Sequence, residues 1–252
     1  MRLVGVAVGG YYPTPEHLVP RIAARLSVVR ESKAVVSVLD PCAGEGGAIC
    51  GIADRLVVQG AKVHVYACEL EETRSGKLKA NLVRKDWSDG SRVLRGDAFR
   101  VDFAHGSKSG IGVLFLNPPY DHDPEHGRME QKFLDRFAQT LAPGGVLVLT
   151  VPHKALAASA ETIGRCFERV TCFRFAEGDF DAFRQVVLFA KRREVDLREP
   201  DPKIVELLRS WAKEPPLAEL PEPGTAADVY TVPLRGDFNT PFSEWEMFQI
   251  DA

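Results

Sequence analysis

No apolar run in this sequence is long enough to cross a bilayer. The opening MRLVGVAVGG has one basic residue and six apolar-type positions before Gly9, too few for the core of a signal peptide. A membrane role is therefore excluded as a reading, and a cytoplasmic location is expected. Paired cysteines are missing too. Cys42, Cys50, Cys68, Cys166 and Cys172 form no C-x-x-C pair and are odd in number, which argues against a zinc centre or a disulfide framework and predicts reduced, buried thiols. Charge of one sign is not in large excess: the net is −3, so the chain is not coated for nucleic acid. Local clusters such as AKRREVDLR, and Arg92, Arg95 and Arg100, leave room for a basic face, so charge alone neither supports nor excludes a polynucleotide partner. No internal repeat is present.

What remains is an ordinary globular composition, 45% hydrophobic and 27% charged over 252 residues, the size of one large domain with an appendage. From Lys33 onward, β-branched apolar runs alternate with amphipathic stretches, the pattern of a doubly wound α/β sheet. Strands are predicted at 34–40, 62–69, 91–97, 112–118 and 145–152, with helices near 46–58, 71–85, 129–141 and 154–167. The third helix is expected to stop at APGG. RVTCFRFA and RQVVLFAKRR, flanking EGDFDAF, read as a long hairpin that closes a mostly parallel, seven-stranded, Rossmann-like sheet with antiparallel strands. Ahead of the sheet, Thr14 is predicted as N-cap and Pro15 as first residue of a short helix. The expected division is 1–32 for this leading segment, 33–194 for the sheet, and 195–252 for a Pro-rich extension around the helix DPKIVELLRSWAK.

The first strand, turn and helix read VLDPCAGEGG, placing Asp40 at a strand end and Gly44 and Gly46 in the turn. Glycines there allow close approach of a ligand to the backbone and helix N-terminus. The dinucleotide fingerprint G-x-G-x-x-G requires Gly or Ala where this chain has Ile49, which weakens a nicotinamide reading. D-x-x-x-G-x-G does fit, and resembles motif I of class I S-adenosylmethionine-dependent methyltransferases. An acid at Asp40 suits the ammonium of that cofactor. Glu69 ends the second strand, placed to accept both ribose hydroxyls. Asp97 follows the third, suited to the adenine amine, with Leu70 or Phe99 on the adenine face. Single strand-end acids are often helix caps; three at successive strand ends form a pattern.

The fourth strand runs into Asn117, Pro118, Pro119 and Tyr120. Two adjacent prolines lack amide hydrogens and fix φ, so they extend neither ladder nor helix and form a rigid ledge. NPPY is similar to motif IV of the amino-methylating enzymes best known from N6-adenine DNA methyltransferases. That resemblance implies that the Asn117 side-chain oxygen and the Pro118 carbonyl accept hydrogen bonds from the target amine, while Tyr120 stacks on a flipped base. Stacking of this kind is worth roughly 1–3 kcal/mol. C5-cytosine methylation would require a Pro-Cys nucleophile at the ledge, and the only Pro-Cys pair, Pro41-Cys42, lies in the cofactor turn. GGYYPTPEHL resembles motif X of the gamma-ordered subgroup with one residue added, implying cofactor contacts from Tyr12 and Thr14. Over residues 9–192, the resemblance assigns cofactor contacts to Tyr12, Thr14, Asp40, Cys42, Gly44, Gly46, Glu69, Leu70, Asp97, Ala98, Phe99 and Asn117. It lacks the large target-recognition domain of those enzymes.

The implied function is S-adenosylmethionine-dependent methylation of a planar exocyclic amine, with adenine N6 in DNA or RNA the first candidate. Alternatives are glutamine N5 in a protein, guanine N2 in RNA, a catalytically silent methyltransferase-like subunit, and a nicotinamide oxidoreductase. Asp121, His122, Asp123, Glu125 and His126 match no metal-ligand spacing; no metal is expected, and the loop reads as a substrate lid with Arg128 as a phosphate contact. The tail aromatics Tyr230, Phe238, Phe242, Trp245 and Phe248 predict docking of the extension onto the domain.

Overall fold

The computed structural model describes residues 12–28, 35–101, 110–120, 122–123, 127–225 and 229–234. Seven strands form one sheet: β1 (Val35–Asp40), β2 (Lys62–Glu69), β3 (Arg92–Arg95), β4 (Ile111–Leu116), β5 (Leu141–Pro152), β6 (Phe167–Arg174) and β7 (Gln185–Arg192). Their order is β3-β2-β1-β4-β5-β7-β6. The first five strands are mutually parallel, and β7 runs antiparallel to both its neighbours. This is the mostly parallel Rossmann-like sheet with an antiparallel hairpin region that the alternation predicts. The order reverses between β1 and β4, the switch point beyond which open α/β sheets bind ligands. β1 and β4 are apolar on both faces, as strands covered by helices on both sides must be: Val36, Val38, Val113, Leu114 and Leu116 have no exposed surface.

The helices are α1 (Val19–Ala23), α2 (Gly47–Val58), α3 (Glu72–Val83), α4 (Met129–Phe137), α5 (Leu156–Cys166), α6 (Glu177–Phe183) and α7 (Pro202–Lys213). Three local expectations are corrected. Thr14 does not cap a helix: Pro15 is the N-cap of a 3-10 turn, Glu16–Leu18, without a side-chain cap, and α1 starts at Val19. The Thr14 hydroxyl instead accepts a hydrogen bond from Asn117. APGG is not a helix stop. The α4 helix ends at Phe137, a 3-10 turn follows, and β5 already begins at Leu141, so APGG forms a bulge in the strand: Leu141 faces Ile111 and Val146 faces Val113. Gly144 has φ +78°, and a Cβ on Gly145 would lie 2.8 Å from the Ala142 carbonyl, so glycine alone permits the bulge. Finally, EGDFDAF is not a loop but helix α6, closed by Arg184 in the left-handed region (φ 53°).

The extension packs onto the sheet domain. Asp201 caps α7 by accepting from the Lys203 amide at 2.9 Å, with Pro202 at the first helical position. Helix α7 lies against α5 where Gly164 leaves room; a Cβ there would sit 3.0 Å from Val205. Farther on, Tyr230–Val232 pairs in parallel with Leu26–Val28. Tyr230 is 1% exposed and its hydroxyl reaches the Phe189 carbonyl at 3.1 Å, which docks this part of the tail. Tyr11, the residues before it, Phe238, Phe242, Trp245 and Phe248 lie outside the described residues. So do Asp121, Glu125, His126, and the side chains of His122 and Asp123. Among the described residues no helix is long and apolar enough to cross a membrane.

The ladder meets the sheet at Gly112, where a Cβ would stand 2.9 Å from Val232 and 3.0 Å from the Pro233 carbonyl. Gly112→Ala is therefore expected to push the ladder off β4 and destabilise the protein by roughly 1–3 kcal/mol, an overpacking cost. Urea denaturation measures it, and an unchanged midpoint would show that the ladder contributes nothing there.

Candidate active site

The turn after β1 is held by backbone bonds. Gly46 N donates to the Ala43 carbonyl at 2.9 Å, and Ala43 N donates to the Cys68 carbonyl at 2.9 Å, tying the turn to β2. Gly44 (φ +56°) and Gly46 (φ +86°) take the left-handed conformations that the reversal into α2 needs. Asp40, 2% exposed, accepts from the Cys42 amide at 3.0 Å through Oδ1. Burial, helped by the nearby negative charge of Glu69, pushes the Asp40 carboxyl up to about 7 against the opposing effect of the Cys42 bonds. Burial and the Asp40 charge push the Cys42 thiol well above its ordinary value, so it offers no thiolate nucleophile.

Glu69, at the end of β2, is a buried hub. Oε2 accepts from the Gly44 amide at 2.8 Å, while Oε1 takes the Glu71 amide at 2.9 Å and both Nε and Nη2 of Arg74 at 3.0 and 2.8 Å. A carboxylate has about four lone-pair sites. Oε1 is therefore filled and Oε2 keeps one position, room for one ribose hydroxyl where the sequence suggests two. Beside it Leu70 is 67% exposed, an apolar wall of the kind an adenine face requires. Asp97 caps the 3-10 turn Ala98–Arg100 by accepting from Phe99 N at 2.9 Å, leaving Oδ2 toward Arg100 at 3.7 Å. Ala98 is buried, and the half-buried Phe99 ring packs edge-on to Phe133 with centroids 4.8 Å apart. Three acids beside a glycine turn and an exposed apolar wall fit a cofactor with an ammonium, a ribose and an adenine.

The ledge follows β4. Asn117 Nδ2 donates to the Tyr12 carbonyl at 2.8 Å and to Thr14 Oγ1 at 3.1 Å; Oδ1 accepts from the Tyr120 hydroxyl at 2.7 Å. Pro118 is buried, while Pro119 and Tyr120 are half-buried. The Tyr12 and Tyr120 rings stack at 5.1 Å with 13° between their planes. Burial raises the Tyr120 phenol far above its ordinary range, so it stays protonated. Tyr12, Thr14, Asn117 and Tyr120, distant in sequence, thus form one constellation. Sequence reasoning missed three residues around it. Gln185, 1% exposed at the start of β7, reaches the Tyr120 hydroxyl through Nε2. Glu130 has no exposed surface, is bound to Arg128 at 2.6 Å, and its charge acts on Tyr120. Arg74 holds Glu69. Glu130 did carry a signal: it falls on the stripe of Phe133, Leu134 and Phe137, an acid on the buried face of an amphipathic helix. Among the described residues no group of three or more His, Cys, Asp or Glu could hold a metal.

A sheet of this order, with acids after successive strands and a glycine turn at the switch point, is a Rossmann-like fold of the kind that methyltransferases share. The chain belongs to the uncharacterised methyltransferase family DUF6094, which matches residues 1–233. Solved structures agree on the fold. A Listeria monocytogenes protein assigned as a class I S-adenosylmethionine-dependent methyltransferase is 16% identical, with a TM-score of 0.56 over 79% of this chain and 68% of its own. A modification subunit assigned to a type I restriction enzyme of Vibrio vulnificus is 19% identical, with a TM-score of 0.57 over 82% of this chain. This chain spans 54% of that subunit's length. No curated protein matches the sequence.

The carboxyl of Asp40 supplies a test of cofactor binding. Only its ionised form attracts an ammonium, and its folded value lies at about 7. Affinity for S-adenosylhomocysteine should therefore rise with pH, roughly tenfold per unit below that value as one proton is released, and level off above it. Calorimetry should show the slope lost in Asp40→Asn and absent for 5′-methylthioadenosine, which has no ammonium. A flat wild-type profile would remove Asp40 from the ammonium site.

Proposed function

We propose that this protein transfers a methyl group from S-adenosylmethionine to a planar exocyclic amine, adenine N6 in DNA or RNA being the first candidate. The observation that carries the reading is the state of Asn117. Its nitrogen is committed to the Tyr12 carbonyl, so its oxygen must face Tyr120, and a carbonyl oxygen with one donor retains a second lone pair. That lone pair suits an amine hydrogen, with the Pro118 carbonyl as second acceptor. The cofactor, when bound, supplies a methyl carbon made electrophilic by its sulfonium. An amine conjugated to a ring is a weak nucleophile, and two acceptors on its hydrogens favour a geometry in which the nitrogen lone pair is free to form the new N–C bond as the S–C bond breaks. The nitrogen would then give up its extra proton to water. Asp40, Glu69, Asp97 and Leu70 would hold the cofactor, and Tyr120 the plane of the target. The protonated Cys42 thiol speaks against a covalent route, and a restriction-modification subunit shares the fold.

The Tyr12 ring supports a second reading. A base sandwiched between two rings needs their centroids about 9 Å apart, twice the lower centroid distance seen for aromatic pairs. Tyr12 and Tyr120 stand at 5.1 Å. A base must use the other face of Tyr120 or displace Tyr12, whereas the narrow side-chain amide of a protein glutamine needs neither.

Transfer of labelled methyl from S-adenosylmethionine to separated DNA, RNA and protein pools distinguishes these readings. Label on nucleic acid, with Tyr120→Ala far slower than Tyr120→Phe or Tyr120→Trp, is expected; label on protein alone would install the glutamine reading. Asn117→Ala is expected to lower transfer by roughly 10², as for loss of one preorganised polar group, with S-adenosylhomocysteine affinity nearly intact. Equal loss of both would make Asn117 structural.

A further inference from the structure

The polarity of the bonds around Tyr120 is fixed from one end. A backbone carbonyl has no hydrogen, so the Asn117 atom 2.8 Å from the Tyr12 oxygen must be nitrogen. The other amide atom is then the oxygen, which can only accept, and the single phenolic hydrogen of Tyr120 goes to it across 2.7 Å. The phenol oxygen is left with lone pairs alone. The contact with Gln185 therefore has one possible direction, from Gln185 Nε2 to Tyr120. Gln185 is 1% exposed and sits between Arg184 and the apolar run of β7.

We propose that Gln185 is a positioning residue for methyl transfer: by donating to Tyr120 it offers the phenolic hydrogen no competing acceptor, so that hydrogen stays on Asn117 Oδ1 and holds this oxygen, already oriented by Tyr12, with one lone pair left for the incoming amine. The relay runs Gln185, Tyr120, Asn117, Tyr12. It joins β7, the ledge and the N-terminal segment, and Gln185 is its only member that touches neither the expected substrate nor the cofactor. An ionised carboxylate at this position would reverse the chain. It can only accept, and being a stronger acceptor than an amide it would draw the phenolic hydrogen away from Asn117. A protonated carboxyl could still donate as glutamine does.

The kinetic part of this inference rests on the amine-methylation reading; the relay itself does not. Two near-isosteric variants, Gln185→Glu and Gln185→Met, separate the two in the full chain. With [13Cζ]tyrosine labelling, and Tyr120→Phe to assign the signal, the ligand-free Tyr120 resonance in Gln185→Glu should match wild type at low pH. As the new carboxyl ionises it should shift, a step absent from wild type and from Gln185→Met. On whichever pool accepts methyl, Gln185→Met should lower kcat roughly 10- to 100-fold, the scale of a misplacement away from the chemistry. Affinity for S-adenosylhomocysteine should be unchanged, and Gln185→Glu should lose activity with rising pH over the same interval as the NMR step. A Tyr120 signal indifferent to both substitutions overturns the relay. A responsive signal with unaltered kcat overturns the positioning role. A responsive signal with no methyl acceptor in any pool retains the relay and strikes down the amine reading instead.

Discussion

The site depends on the hydrogen bond from Asn117 Nδ2 to the Tyr12 carbonyl. β4 delivers Asn117 to the carboxyl edge of the sheet, and the two prolines after it prevent the chain from continuing either as strand or as helix. Left alone, a terminal amide has two nearly equivalent orientations. A main-chain carbonyl from a segment more than a hundred residues away removes that choice. The N-terminal segment therefore holds the Asn117 amide at a distance from its own sequence neighbours, and Thr14 completes the same contact with its hydroxyl.

Two buried acids near the site contrast with each other. Glu69 is surrounded by two backbone amides and the Arg74 guanidinium, the arrangement that a desolvated carboxylate needs. Glu130 is more deeply buried, yet only Oε1 is partnered, by Arg128, and Oε2 has no hydrogen-bond donor. Glu69 is thus tied into the scaffold of the turn after β1, whereas Glu130 rests on a single ion pair with Arg128.

Much of this was legible in the sequence, for identifiable reasons. Strand ends at Asp40 and Glu69 were visible because β-branched runs stop abruptly at an acid. The ledge was visible because two prolines leave the backbone few options. What escaped depended on tertiary contacts. APGG carries every local sign of a helix stop, but the tight approach of Gly145 to the Ala142 and Ile111 carbonyls makes it a strand bulge. EGDFDAF resembles a polar loop, and only the closing residue Arg184, left-handed without being glycine, shows how a helix fits between two antiparallel strands. Gln185 looks like an ordinary polar residue opening a strand. Its hydrogen bond is to Tyr120, 65 positions earlier, which no local pattern encodes.

The small parallel ladder between Leu26–Val28 and Tyr230–Val232 bears on how the molecule comes into being. Its partners are 204 positions apart. A ribosome working at about 5–20 residues per second needs roughly 10–40 s to travel that far. During that interval Leu26, which ends 1% exposed, has no strand to pair with, and the amino end of β4, paired with β1 and β5, lacks the cover that Val232 gives it at Gly112. The sheet can form as its strands emerge, but this clasp closes last. A nascent chain stalled before Tyr230 would therefore present an open apolar edge, the kind of surface that chaperones bind and that invites aggregation.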